Sequence, residues 1–259
     1  MAAPKWKPFP HPDKSYAYAG EALKKAWADL HRGDCEPWPK EAAAQQAWRH
    51  FHQGAFAEAA AEGQKAGGAA LVAAIKAQAI YANAVEPKDA AKLALFEDAM
   101  RRAEALVAES PKSANAHYLY AYAAGRYSQR ISIAKALAQG YGGRIRAALE
   151  AALKLAPKHA EAHIALGAWH AEIIDKVGAM VGGLTYGAKR DEGEALFRKA
   201  IKLAPDSPIA RIEMASGLVM LHGRKAVEEA SKLYAEAAGM TPRDAMERLD
   251  VEAARAELA

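Results

Sequence analysis

Ser110-Pro111-Lys112-Ser113-Ala114-Asn115-Ala116-His117 returns as Ala156-Pro157-Lys158-His159-Ala160-Glu161-Ala162-His163, and again as Ala204-Pro205-Asp206-Ser207-Pro208-Ile209-Ala210-Arg211. The prolines stand 46 and 48 residues apart. A fixed period of this size marks a repeat architecture, in which each unit buries its apolar face only against its neighbours. Each copy reads as the hinge between the second helix of one unit and the first helix of the next. The period decides the fold class and directs attention away from catalysis and toward binding.

Composition agrees. Much of the apolar content of the 259 residues is alanine, the best helix former and one that lets helix axes approach. The 35 basic and 31 acidic residues leave a net charge of +4, with both signs on the same segments, so nucleic acid is not expected as a partner. The single cysteine, Cys35, rules out an internal disulfide framework and fits a reducing cytoplasm, the location expected. Lying between Asp34 and Glu36, its thiolate should be disfavoured. The N-terminal residues lack the apolar centre of a signal peptide, and no stretch approaches the ~20 apolar residues of a membrane span. A soluble protein retained where it is made is expected.

Outward from the hinges, glycines and prolines divide the chain into helices. Residues 1–14 are rich in proline and lysine and should be extended, held to the body by Trp6 and Phe9. A leading helix is expected from Ser15, as its cap, to about His31, with Tyr16, Leu23, Trp27 and Leu30 in one stripe. Helices follow near 41–52, 55–66, 68–85, 88–109, 114–137, 143–156, 159–180, 190–204, 208–221, 224–239 and 243–258. The expected organisation is an N-terminal arm and extra helix (1–37), a repeat array (38–242) and a C-terminal capping helix (243–259).

Within the pairs the spacing resembles the tetratricopeptide repeat. The best match runs His163, Leu166, Gly167, His170, then Gly193, Phe197, Ala200, Pro205. The unit before gives His117, Tyr120, Ala121, Ala124, then Ile145, Leu149, Ala152, Pro157. The unit after gives Arg211, Met214, Ala215, then Ala230, Tyr234, Ala237, Pro242. Gly54-Ala55-Phe56 resembles the inter-helix turn of that family. Two units exceed the standard 34 residues through additions at Tyr127–Tyr141 and Ile173–Ala188. Such lengthened units are similar to those of the regulator of microtubule dynamics family and of the T-component lipoproteins associated with TRAP transporters. The resemblance implies an all-α, right-handed solenoid of about five helical pairs, with a leading helix and a C-terminal cap.

The resemblance also implies a site. First helices of such arrays line a concave face, which places Asn115, Tyr118, Tyr122 and Arg126 there, then Glu161, Ile164, Ala168 and Glu172, then Ile212, Ser216 and Val219. This face lacks the Lys and Asn array that clamps a peptide's C-terminal carboxylate. An amphipathic helix, an internal extended segment or an apolar ligand fits better. A competing reading fills the groove from within with the leading helix, whose apolar stripe needs a partner.

Residues that invite a catalytic or metal reading each have a plainer one. His117 and His163, joined by Arg211, recur at one repeat position, which packing explains; a metal reading would add His159 to His163. His50 and His52, two apart, point to different sides of a helix. Gly183-Leu-Thr-Tyr-Gly187-Ala-Lys189-Arg190 lacks the Gly-Lys-Ser/Thr ending of a phosphate loop; Tyr186, Lys189 and Arg190 read as a basic tip or as a turn with Tyr186 folded onto the core. No catalytic constellation, metal or cofactor is expected. The function expected is a non-catalytic scaffold that presents its concave face to a protein or peptide. The alternative is a small-molecule or lipid-binding protein whose lengthened helices wall an apolar pocket. An enclosed apolar cavity would favour the ligand and an open mixed channel the peptide. An enzyme would return to consideration if Tyr122, Arg126, His170 and Glu172 converged in one buried polar pocket.

Overall fold

A computed structural model describes residues 5–259. After a short 3-10 turn at Lys14–Tyr16 the chain forms α1 (Ala22–Leu30), α2 (Ala42–His52), α3 (Phe56–Ala66), α4 (Ala70–Ala84), α5 (Asp89–Glu109), α6 (Ala114–Ser128), α7 (Ile133–Ala138), α8 (Tyr141–Leu155), α9 (Ala160–Val177), α10 (Ala179–Tyr186), α11 (Arg190–Leu203), α12 (Pro208–His222), α13 (Val227–Ala238) and α14 (Ala245–Glu257). Neighbours stack in the order α2/α3, α4/α5, α6/α8, α9/α11 and α12/α13, and α14 closes the array. First helices also touch one another along the series α2, α4, α6, α9, α12 and α14. The architecture is an all-α solenoid of helical hairpins. Among the described residues there is no strand, and no helix is long and apolar enough to cross a membrane.

The hinges hold by one repeated device. His117 Nε2 reaches the carbonyl of Pro111 at 2.9 Å, His163 Nε2 that of Pro157 at 3.0 Å, and Arg211 Nη1 that of Pro205 at 2.7 Å. A donor at the second turn of each first helix thus ties back the proline carbonyl six residues earlier, in the turn just beyond the preceding helix. The core between helices uses close approach. A Cβ on Gly167 of α9 would stand 3.0 Å from the Phe197 ring and 3.1 Å from the Gly193 carbonyl, and one on Gly217 of α12 would overlap the same ring. Phe197 of α11 is therefore clamped by two glycines on the flanking first helices.

Three boundaries differ from the sequence reading. The leading helix starts at Ala22, not Ser15: Asp13 caps the 3-10 turn by accepting from Ser15 N at 2.8 Å, and a turn follows before α1. Tyr16, Leu23 and Trp27 nonetheless enter the core. The helix expected over 114–137 breaks after Ser128. Its hydroxyl bonds back to the Gly125 carbonyl at 2.8 Å, and Ser132 caps a new helix, α7, through Lys135 N. The helix expected over 159–180 ends at Gly178, whose φ is +82°, and Gly182-Gly183 lie inside α10. A Cβ on Gly182 would lie 3.1 Å from Ile173, so that glycine serves the contact of α10 with α9.

The N-terminal segment is built into the body. Trp6 stacks on Tyr81 with centroids 4.4 Å apart, and the Phe9 ring lies where a Cβ on Gly54 (φ +87°) would be. Tyr18 Oη donates to the Arg243 carbonyl and Arg243 Nη1 to the Asp29 carbonyl, while His52 of α2 meets Asp244, the cap of α14, at 2.7 Å. The first hairpin, the leading segment and the C-terminal helix thus touch, and the array closes on itself.

Candidate ligand cavity

Residues 31–38 enter the inner face and fill part of it. Gly33 accepts the Glu161 backbone N–H at 3.0 Å. Cys35 has a φ of +53°, the single positive value at a non-glycine among the described residues. That conformation turns Asp34 and Glu36 inward and leaves Cys35 outward. Lys76 of α4 donates to Asp34 at 2.6 Å and to Glu161 at 3.0 and 3.1 Å. Burial opposes the charge on Asp34, but Lys76 and His31 hold its carboxyl well below the usual range. Burial wins at Glu161, which has the weaker share of the same ammonium, and raises it.

A second chain runs from α9 to the loop. His159 Nδ1 accepts from Ala162 N at 3.1 Å, which caps α9 and leaves the proton on Nε2. That group donates to Asn115 Oδ1 at 2.9 Å, and Asn115 Nδ2 donates to Glu36 at 2.6 Å. Burial, with Asp34 close by, pushes the Glu36 carboxyl up to about 8, and burial holds His159 down at about 4. The inner face is therefore closed by the protein's own loop where Asn115, Glu161 and Lys76 meet.

Beyond the loop a cavity of about 240 Å³ remains between α4, α6, α7, α8, α9, α12 and α14, just below the roughly 300–1,000 Å³ usual for small-molecule sites. Its walls are mostly apolar: Ile131, Ile133, Leu137, Ile145, Leu149, Ile164, Ile173 and Leu249, with Trp169 held by its Nε1–H to the Gly142 carbonyl. Ile133 and Leu137 are half exposed, so the side toward α7 is open. The polar wall holds Tyr118, Tyr122, Arg126, Glu161, Glu213 and Asp250. Arg126 pairs with Glu213 at 2.6 Å and lies over the Tyr122 ring. Burial works against its charge, but Glu213 and Tyr122 hold the proton on more firmly. Burial keeps the Tyr118 and Tyr122 hydroxyls protonated.

Of the residues projected onto the concave face, Tyr118, Tyr122, Arg126, Glu161, Ile164, Ala168 and Glu172 line this cavity together. Asn115 does not; it is spent on the loop. Ile212 and Ser216 do not either: Ser216 Oγ meets Tyr234 Oη at 2.7 Å, and Ile209 and Glu213 face the cavity from α12. Ile209 and Glu213 stand at the positions of Glu161 and Ala165 in α9, which also line the cavity, so α12 reaches it only through its N-terminal part. His170 stays apart, accepting from Lys189 N at 3.1 Å, so the four residues named for an enzyme do not converge. His52 contacts Asp244 and, at 3.3 Å, His31, whereas His50 faces Gln46, Gln53 and Glu62. Among the described residues no group of three or more His, Cys, Asp or Glu is arranged to hold a metal ion. Cys35 is raised, first by burial and then by Asp34. Tyr186 folds back against Gly142, and its carbonyl accepts from Arg146 at 2.6 Å. Sequence reasoning missed α7, Asp250 and Met246; α7 has no glycine or proline before it, and α14 reads from its alternating charges as an outer cap.

An array of helical hairpins around an apolar inner cavity is a repeat scaffold of the tetratricopeptide type. The model of the family "Regulator of microtubule dynamics protein 1-3" matches residues 65–258, and the chain belongs to that family. Among solved structures, a thermophilic TPR protein of Thermus thermophilus shares the fold, with a TM-score of 0.58 and 20% identity over 83% of this chain and 97% of that one. No curated protein matches the chain.

Proposed function

We propose that this chain is a non-catalytic binding protein that takes a small, elongated, largely apolar ligand into the cavity beside α6, α7, α9 and α14. One observation carries the reading: residues 31–38 occupy part of the inner face, while a mostly apolar cavity with a short polar end stays free beside them. Burial of apolar ligand surface contributes roughly 25 cal/mol per Å², so a short alkyl chain has enough area to bind. Native mass spectrometry of protein purified from its host should show a ligand-sized adduct. Ala168→Phe, which fills the cavity, should remove it. An adduct unaffected by that substitution, or no uptake of any alkyl compound, would contradict the reading.

A second reading, a protein contact, is favoured by α10. Met180, Val181 and Leu184 are 76%, 45% and 85% exposed on a helix without a single charge, and apolar groups clustered in this way mark contact surfaces. Met180→Ser with Leu184→Ser should then abolish partner capture and leave ligand uptake intact. Capture that survives the double substitution would remove α10 from consideration.

A further inference from the structure

The polar wall of the cavity contains one acid that the fold does not provide for. Glu213 has Arg126 at 2.6 Å, Glu172 has Lys176 at 2.9 Å, and Glu161 shares Lys76 at 3.0 Å. Asp250, midway along α14, has no such partner among the described residues. Its Oδ2 is closed off from solvent and meets no donor, although the residue lines the cavity. Natural structures rarely leave such an atom unpaired, and each case calls for an explanation. Burial first, and then the nearby carboxylates of Glu247, Asp244, Glu161 and Glu213, push its own carboxyl well up, toward the protonated form. Tyr118 and Tyr122 line the same space, but Arg126 already lies over the Tyr122 ring, so Asp250 is the acid left without a cation.

Resting on the reading of the cavity as a ligand site, we propose that the ligand carries an ammonium headgroup, seated against the unpartnered Asp250, with its alkyl chain running between Ile145, Ile173 and α7. The ammonium supplies the missing positive charge. Asp250 gives up its proton to solvent as the cation enters, so the carboxylate and ammonium pair without a net change of charge in the wall. A carboxylate headgroup would add one more negative charge among four and is disfavoured.

Decylamine, decanol and decanoate, titrated into the wild-type protein by calorimetry at pH 7, separate the possibilities. Decylamine should bind at least tenfold more tightly than decanoate, and its binding, measured in buffers of different ionisation enthalpy, should release about one proton. Asp250→Asn, which keeps the shape of the neutral acid, should bring decylamine to the affinity of decanol and abolish the proton release, with decanol unchanged. Should that variant fail to fold, the headgroup order and proton release in the wild type decide alone. Decanol or decanoate binding as well as decylamine would overturn the ammonium headgroup and leave the cavity reading standing. Failure of all three to bind would overturn both.

Discussion

At the scale of single residues the repeat signature has a chemical meaning. The histidines of two hinge copies and the arginine of the third perform one task, donation to a proline carbonyl. Packing alone explained their recurrence in the sequence; the hydrogen bond explains why arginine can replace histidine. His163→Ala should cost about 1–2 kcal/mol, the range of a net hydrogen bond with some lost packing, measured by urea unfolding. Glu36 makes a sharper test through pH. Its folded carboxyl is raised to about 8, by burial and then by Asp34, so the folded state binds more protons than the unfolded state between about 4.5 and 8, and stability falls as pH rises through that window. His159 has the opposite sense: held at about 4 by burial, it adds stability that is lost as pH falls from ~6.5 toward 4. Glu36→Gln mimics the neutral acid. Its melting temperature should exceed that of wild type at pH 8.5, with the gap closing toward pH 5. A gap that stays constant with pH would show that Glu36 titrates normally.

Helices and their contacts were legible in proportion to their punctuation. The hinges at Pro111, Pro157 and Pro205 and the turn at Gly54 stand in the sequence, and the helices they bound form close to where they were expected. The break between α6 and α7 was invisible because Ser128 and Ser132 make it by local hydrogen bonds, without glycine or proline. Gly182-Gly183 shows the converse, a glycine pair inside α10 rather than at a helix end, since glycine serves close approach as well as helix termination. Phe197 tests the close-packing argument. Gly167→Ala should destabilise by roughly 1–3 kcal/mol through overpacking, and Gly217→Ala by more, because the added methyl meets the ring directly. Alanine's better helix propensity offsets up to about 1 kcal/mol. If both variants are as stable as wild type in denaturant melts, the ring moves freely and the clamp is not real.

At the scale of the molecule the chain closes on itself and the leading segment fills part of the groove that its own repeats create. The competing reading, a groove filled from within, was close, but the filling is done by the loop after α1. Asp34 and Glu36 look in the sequence like solvated charges beside a cysteine; only the fold reveals Lys76 and Asn115 waiting for them. The cavity-lining part of α6 and α9 was legible from the repeat register, whereas α14 was not, since its cavity-facing Met246, Leu249 and Asp250 have no repeat to align with. Closure predicts a long-range effect: His52→Ala on α2 should raise hydrogen exchange across α14, through the lost contact with Asp244. Increased exchange confined to α2 and α3 would mean the ends merely abut. The cavity itself is the central claim, and isoleucine methyl NMR during separate titrations with decylamine, decanol and decanoate reads it directly. Saturable shifts at Ile133, Ile145 and Ile173, with Ile75 and Ile201 unmoved, are the predicted result. No shifts, or shifts spread evenly over all the isoleucines, would contradict it.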